Sequence, residues 1–199
     1  INNAGIGVMG PLIDLDDAQI EQQLSTNVHS ILRMVRAASR PMINQHGGLI
    51  VNIGSVSGIL VTPFSGIYGA SKAAVHALSE ALRLELAPFN INVMTVQPGA
   101  IESDFGRNST HSLLGRHHRA SSYAPIEAAI TARAKASQDR PTSAEKFCEA
   151  LIEVMEKAPE TAVFRYGAGS RAFPWFAQWV PRPVRDWILT HRFDLHKLG

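Results

Sequence analysis

Leu49-Ile50-Val51-Asn52-Ile53-Gly54-Ser55-Val56-Ser57-Gly58 is followed, after nine residues, by Tyr68-Gly69-Ala70-Ser71-Lys72. The first five residues form a short apolar run of the kind that makes a buried parallel strand. Tyr68 to Leu86 has helical spacing and stops before Pro88. Asn90 to Val96 is the next apolar run and reads as the next strand. Strand, helix and strand in succession predict a doubly wound α/β parallel sheet, Rossmann-like in layout.

The same stretch carries chemistry. Tyr68 and Lys72 are four apart, so a helix projects both from one face. A positive charge about 4 Å from a phenolate, at an effective dielectric of about 20, is worth at most about 4 kcal/mol, or roughly three pKa units. Lys72 is therefore expected to draw Tyr68 towards neutrality, where a general acid or base works best, against the opposing effect of burial. Ser55, thirteen residues upstream, falls just beyond a strand end and offers a hydroxyl to the same substrate oxygen. An isolated Tyr-x-x-x-Lys is more often a packed ring and a solvated amine, so the reading depends on the surrounding motifs.

Those are Asn2-Asn3-Ala4-Gly5 at the start, Asn27 within Ser25-Thr26-Asn27-Val28, Ser55 after one apolar run, and Val96-Gln97-Pro98-Gly99 after another. In this order and spacing the set resembles the short-chain dehydrogenase/reductase family, over about residues 2–103. Together with Pro63-Phe64-Ser65-Gly66-Ile67 and the C-terminal tail, it looks most like the hydroxysteroid-dehydrogenase-like branch, which includes 1-acyldihydroxyacetone-phosphate reductases.

The resemblance implies a catalytic set of Asn27, Ser55, Tyr68 and Lys72. Tyr68 would exchange a proton with a carbonyl or alcohol oxygen, and Ser55 would hydrogen-bond to that oxygen. Lys72 would hold the nicotinamide ribose, and Asn27 a relay water. Asn2, Ala4, Gly5, Tyr68, Lys72, Pro98, Gly99, Ile101 and Ser103 would contact the cofactor, with Ser103 standing where the family usually has Thr. The expected cofactor is NADP, with NAD open, and the expected substrate is an apolar or lipid-like carbonyl or alcohol. Family practice also implies a homo-oligomer through the two long helices, with Met34, Ala38, Ala74, Ala77 and Ala81 on the face away from the sheet. Small alanines inside a monomer would look the same.

One part of the family pattern is missing. A strand, Gly-rich turn and helix should hold the pyrophosphate. Gly5-Ile6-Gly7-Val8-Met9-Gly10 satisfies G-x-G-x-x-G, but only a strand end precedes it and Pro11-Leu12 follows, so it reads as a flexible loop. With no Met before Ile1, the expectation is a single incomplete Rossmann-like catalytic domain over 1–199, truncated at its N-terminus. The alternative function is an inactive fragment serving as a dimerisation or membrane-surface module.

Elsewhere, Asp14 to Gln45 reads as one long helix, with Leu32, Val35, Val75, Leu78 and Leu82 as the sheet-facing stripe of the two long helices. Residues 100–160 are assigned to a substrate loop and helices. Within them, 102–124 is a mobile covering loop, Glu127 to Ser137 is a helix, and another starts near Pro141 with Thr142 or Ser143 as its cap. His111, His117 and His118 fit a solvated basic loop better than a metal site, so no metal is expected. Ala162 to Tyr166 is the last strand.

From Arg165 onward six Lys or Arg stand against two Asp, with Trp175 and Trp179 four apart and Trp187 following Pro181-Arg182-Pro183. This aromatic, basic tail over 167–199 is expected to cap the core or cleft, with peripheral membrane contact as the other reading. It is too short and charged to span a bilayer.

At 45% apolar residues the chain can bury a sizeable core. A net charge of +2 gives no case for nucleic acid, despite a pI near 8.9. The single cysteine, Cys148, excludes an internal disulfide, suits a cytoplasmic setting, and is expected in the core.

Overall fold

The computed structural model describes residues 1–105 and 121–199. Three parallel strands form the sheet in the order β1 (Gly48–Ile53), β2 (Ile91–Val96), β3 (Val163–Phe164). β1 and β2 pair along their whole length, with Ile50 opposite Val93 and Val51 opposite Met94. The N-terminal segment extends the sheet beyond β1: Asn2 donates its N–H to Val51 O at 2.7 Å and accepts the N–H of Ile53 at 3.1 Å.

Successive strand residues face opposite ways, and each face finds its own helices. Ile50, Ile91 and Val93 pack with Ile31 and Val35 of α2 (Ser30–Asn44) and with Val75 and Leu86 of α3 (Gly66–Leu86). Val51, Met94, Val96 and Phe164 pack with Phe147, Leu151 and Val154 of α5 (Ala144–Lys157) on the other face. Helices on both sides of a parallel sheet establish the doubly wound α/β fold expected from the sequence. Of the expected stripe, Val35, Val75 and Leu82 join this core, while Leu32 and Leu78 are half-buried beside it.

The long first helix differs from its expected outline. It begins at Asp17 (α1, Asp17–Leu24), because Asp16 rather than Asp14 caps it: Asp16 Oδ1 accepts the Gln19 N–H, and Gln19 Oε1 accepts the Asp16 N–H. Between α1 and α2 the backbone opens into a π turn at Ser25–His29, closed by Ser30 N–H to Ser25 O. Asn27 lies inside that turn, a type of irregularity that often marks functional sites.

Two further departures concern α5 and its neighbourhood. The short helix α4 (Glu127–Lys135) ends in a 3-10 turn, Ala136–Gln138, which runs one residue past the expected end at Ser137. Ser143 stands at the N-cap of α5 but makes no side-chain capping bond, and the Thr142 hydroxyl instead accepts the Ala168 N–H. Cys148 is exposed, which corrects its assignment to the core: α5 turns Phe147, Leu151 and Val154 to the sheet and Cys148 away.

The tail forms α6 (Ala172–Trp179) and α7 (Arg182–Arg192). No helix among the described residues is long and apolar enough to cross a membrane.

Met94 has no exposed surface and sits mid-strand between the two helix layers. Met94→Ala is expected to lower unfolding free energy by about 2–5 kcal/mol in chemical denaturation, leaving secondary structure by circular dichroism intact.

Candidate active site

β1 ends at Ile53, and the Gly54 N–H continues the ladder onto Val96 O at 2.7 Å. Ser55 then leaves the sheet with extended backbone (φ −173°, ψ 153°), and its Oγ accepts the Ser57 N–H at 3.1 Å. This places the Ser55 hydroxyl in hydrogen-bond contact with the Tyr68 hydroxyl in the first turn of α3. The two expected reacting hydroxyls thus face each other.

Tyr68 is buried in an apolar cluster with Met9, Phe64, Ile126 and Ile130. Phe105 tilts against its ring at 5.1 Å between centroids, and Phe193 and Leu195 from the tail pack on the same cluster. The end of the tail therefore covers the core beside Tyr68, as the capping reading expects.

The electrostatics correct the expectation for Tyr68. Its pKa is raised, because burial outweighs the Ser55 hydrogen bond and the charge of Arg133, both of which favour the phenolate. Lys72 is not among the causes. Its Nζ lies 6.0 Å from the Tyr68 ring centre and donates to Ile53 O at 2.7 Å, at the end of β1. Burial also pulls Lys72 down to about 8.

Asn27 and Lys72 meet at Gly5. A Cβ placed there would lie 3.5 Å from Asn27 Oδ1 and 3.6 Å from Lys72 Nζ. The Asn27 amide accepts the Ile6 N–H at 2.9 Å and donates to Ile6 O and Ser71 Oγ, both at 3.0 Å. Gln23, fully buried, accepts the Val8 N–H at 2.6 Å and donates to Ile6 O and Ser71 Oγ. Ser71 Oγ in turn donates to Tyr68 O at 2.7 Å. Residues 5–10 are thus a loop fastened by two amides, followed by a single 3-10 turn at Leu12–Asp14 and by no α-helix before Asp17. The pattern of glycines is not a pyrophosphate turn.

The other cofactor candidates lie along the same strand-end lip. Ala4, Gly5 and Ser103 are exposed, while Asn2, Pro98, Gly99 and Ile101 are half-buried. Gly99 is required where it stands: a Cβ would meet Ala168 O at 2.0 Å. Its N–H donates to Tyr166 O at 2.9 Å, and Ala100 N–H donates to Ala168 O at 2.9 Å. On its other side Ala100 O accepts the Thr142 N–H.

A nicotinamide ribose fits this donor set. Lys72 has three N–H donors, of which Ile53 O takes one, and the exposed Gly5 borders its Nζ. His111, His117, His118 and most of the expected covering loop lie outside the described residues.

Three participants escaped the sequence reading. Arg133 on α4 is directed towards Tyr68, with its Nε donating to Thr62 Oγ1 at 2.8 Å. His76, one turn after Lys72 on α3, accepts the Ser55 N–H through Nε2 at 3.3 Å. Burial, then the charges of Lys72 and Arg165, hold His76 down to about 4, so it stays a neutral acceptor. Gly54 leaves room for that ring, since a Cβ there would come within 2.4 Å of Nε2. Gln23 completes the list; for His76 alone a signal existed, its helical spacing from Lys72.

Comparison with known proteins agrees with this geometry. The family model for short chain dehydrogenases matches residues 1–113. The short-chain dehydrogenase virD of Hypocrea virens is 30% identical over 198 residues, covering 100% of this chain and 67% of its own length. A 3-ketodihydrosphingosine reductase of Bacteroides thetaiotaomicron is 40% identical over 114 residues, or 57% of this chain and 42% of its own. A short-chain dehydrogenase structure from Streptomyces avermitilis superposes with a TM-score of 0.71 at 23% identity, over 99% of this chain and 68% of that one.

The chain belongs to the short-chain dehydrogenase family of NAD(P)-dependent oxidoreductases. It spans about two thirds of the length of virD.

Two measurements probe the site without turnover. Lys72 is protonated less readily when folded, so stability contributed at this residue rises with pH from about 8 towards 10.5 and its burial cost is full below 8. The stability difference between Lys72→Met and the parent is expected to shift by about 3 kcal/mol towards the parent between pH 7 and 10.5, read by urea titration. His76→Leu strips the Ser55 N–H of its acceptor and is expected to cost about 1–3 kcal/mol, with faster hydrogen exchange at that amide.

Proposed function

We propose that Tyr68 exchanges the proton and Ser55 orients the oxygen in a reaction that interconverts a carbonyl and an alcohol on an apolar or lipid-like substrate. The observation that carries this reading is the pair of facing hydroxyls, Ser55 and Tyr68, enclosed by apolar and aromatic side chains. The nicotinamide, taken here as that of NADP, supplies or accepts the hydride at the substrate carbon. With the cofactor bound, Lys72 would hold its ribose, and Asn27, bordering the same Gly5, would keep a relay water for Lys72.

Burial raises the Tyr68 pKa, so the phenol is protonated at neutral pH and ready to donate when a ketone is reduced. The phenolate that remains is stabilised by the Ser55 hydroxyl and Arg133. Phe64, Phe105, Tyr123 and Ile130 beside Tyr68 favour an apolar substrate body and keep water from the reacting oxygen. The 3-ketodihydrosphingosine reductase among the relatives is named for a lipid-like ketone, which supports the same substrate class.

Two proposals concern partners. Met34, Ala77, Ala81 and Leu84 are exposed on α2 and α3, which supports association of two copies through that face. The exposed aromatic residues of the tail support contact with a membrane surface.

Tyr68→Phe keeps the ring and removes the proton. Ketone-dependent NADPH oxidation is expected to fall by about 10²–10⁴-fold, while NADPH binding, followed by its fluorescence, stays close to the parent. An unchanged rate would refute the assignment. A folded chain that self-associates yet neither binds NADPH nor turns over any ketone would favour the inactive-module alternative.

A further inference from the structure

α6 and α7 enclose an open cavity of about 490 Å³ with the edge of β3. Arg165, Arg171 and Arg185 line it, with Trp175 and Trp179 as its aromatic wall and Ile59, four residues after Ser55, at its margin. No carboxylate lines it. Like charges gathered in one concavity repel, and a carboxylate would be the usual relief. None of the three arginines has an ion-pair partner among the described residues.

Their remaining hydrogen bonds are incomplete. Arg165 Nε donates to Gln97 Oε1 at 2.7 Å, and an Nη of Arg185 donates to Ala177 O at 2.6 Å. Arg185 Nε is buried and has no partner among the described residues. A guanidinium held in place by one bond, with another donor unsatisfied, is prepared for an oxyanion.

The rim indicates where that anion comes from. Trp175, Trp179 and Trp187 are 61%, 66% and 63% exposed on two consecutive short helices, together with Phe173 and Val184. Large apolar rings beside unpaired arginines match a bilayer interface, where indole sits at headgroup depth and guanidinium meets phosphate. A soluble phosphate would need the arginines but not the exposed indoles.

We propose that the α6–α7 face is a binding site for an anionic phospholipid surface, with one lipid phosphate seated among Arg165, Arg171 and Arg185. This rests on the membrane contact proposed for the tail and adds to it a headgroup chemistry and a seat. Such a site would hold the chain at the surface in which a lipid-like substrate is dissolved.

The full chain is tested by co-sedimentation with vesicles of phosphatidylcholine alone and of phosphatidylcholine mixed with phosphatidic acid. Binding is expected to favour the mixed vesicles, to weaken with salt, and to fall roughly tenfold in Arg171→Glu. Trp179→Ala is expected to weaken binding to both. Arg171 and Trp179 are exposed, and unchanged thermal melts confirm that the variants are folded.

Equal binding to the two compositions overturns the anion site while leaving membrane contact standing. Binding to neither overturns both. Inorganic phosphate that perturbs tryptophan fluorescence without any vesicle binding identifies a soluble ligand and overturns the lipid assignment.

Discussion

Lys72 carries an ammonium group into a space nearly closed to water and gives one of its donors to the last carbonyl of β1. That bond ties the first turns of α3 to the strand end, and through them sets Tyr68 against Ser55. Burial opposes the charge, which is why the amine is held down to about 8. Few arrangements would tolerate such a group unless its remaining donors had work to do. The exposed Gly5 beside Nζ is where the proposed ribose contact would be made.

Around this bond the site is built mostly from backbone. Ser55 is held by its own N–H on His76 and by its hydroxyl on the Ser57 N–H, while Asn27 and Gln23 clamp Ile6 and Val8. The π turn at Ser25–His29 is what turns Asn27 inward, off the regular course of the helix. Rigid placement by several independent elements is the condition for positional catalysis. The apolar residues around Tyr68 add a dry environment, in which a charge such as that of Arg133 acts more strongly than it would in water.

Much of this was legible in the sequence because periodicity and motif order report on the backbone. β1, α3 and β2 fall within two residues of their expected limits, and three separate places supply the expected residues, with Ser55 beside Tyr68 of α3 and Asn27 beside Lys72 of the same helix. What failed depended on distances that spacing does not carry. Two residues four apart share a helix face, yet Lys72 reaches back to Ile53 rather than towards the phenol, and burial decides the Tyr68 pKa. Cys148 was misplaced because a helix pattern does not say which of two adjacent positions meets the sheet. Arg133 was invisible because its role exists only once α4 packs against α3. The start at Asp17 turned on a reciprocal bond between Asp16 and Gln19 that Asp14 has no partner to make.

Gly99 presses its backbone against residues 166–168, while Ala100 is gripped from the opposite side by Thr142. The segment leading out of β2 is consequently the middle ply of a laminate whose outer plies begin α5 and the tail. A force applied at the tail is passed by main-chain bonds, without side-chain intermediaries, to the loop assigned to the nicotinamide. The adsorption proposed for the tail and the cofactor contact proposed for Gly99 are in that sense mechanically linked.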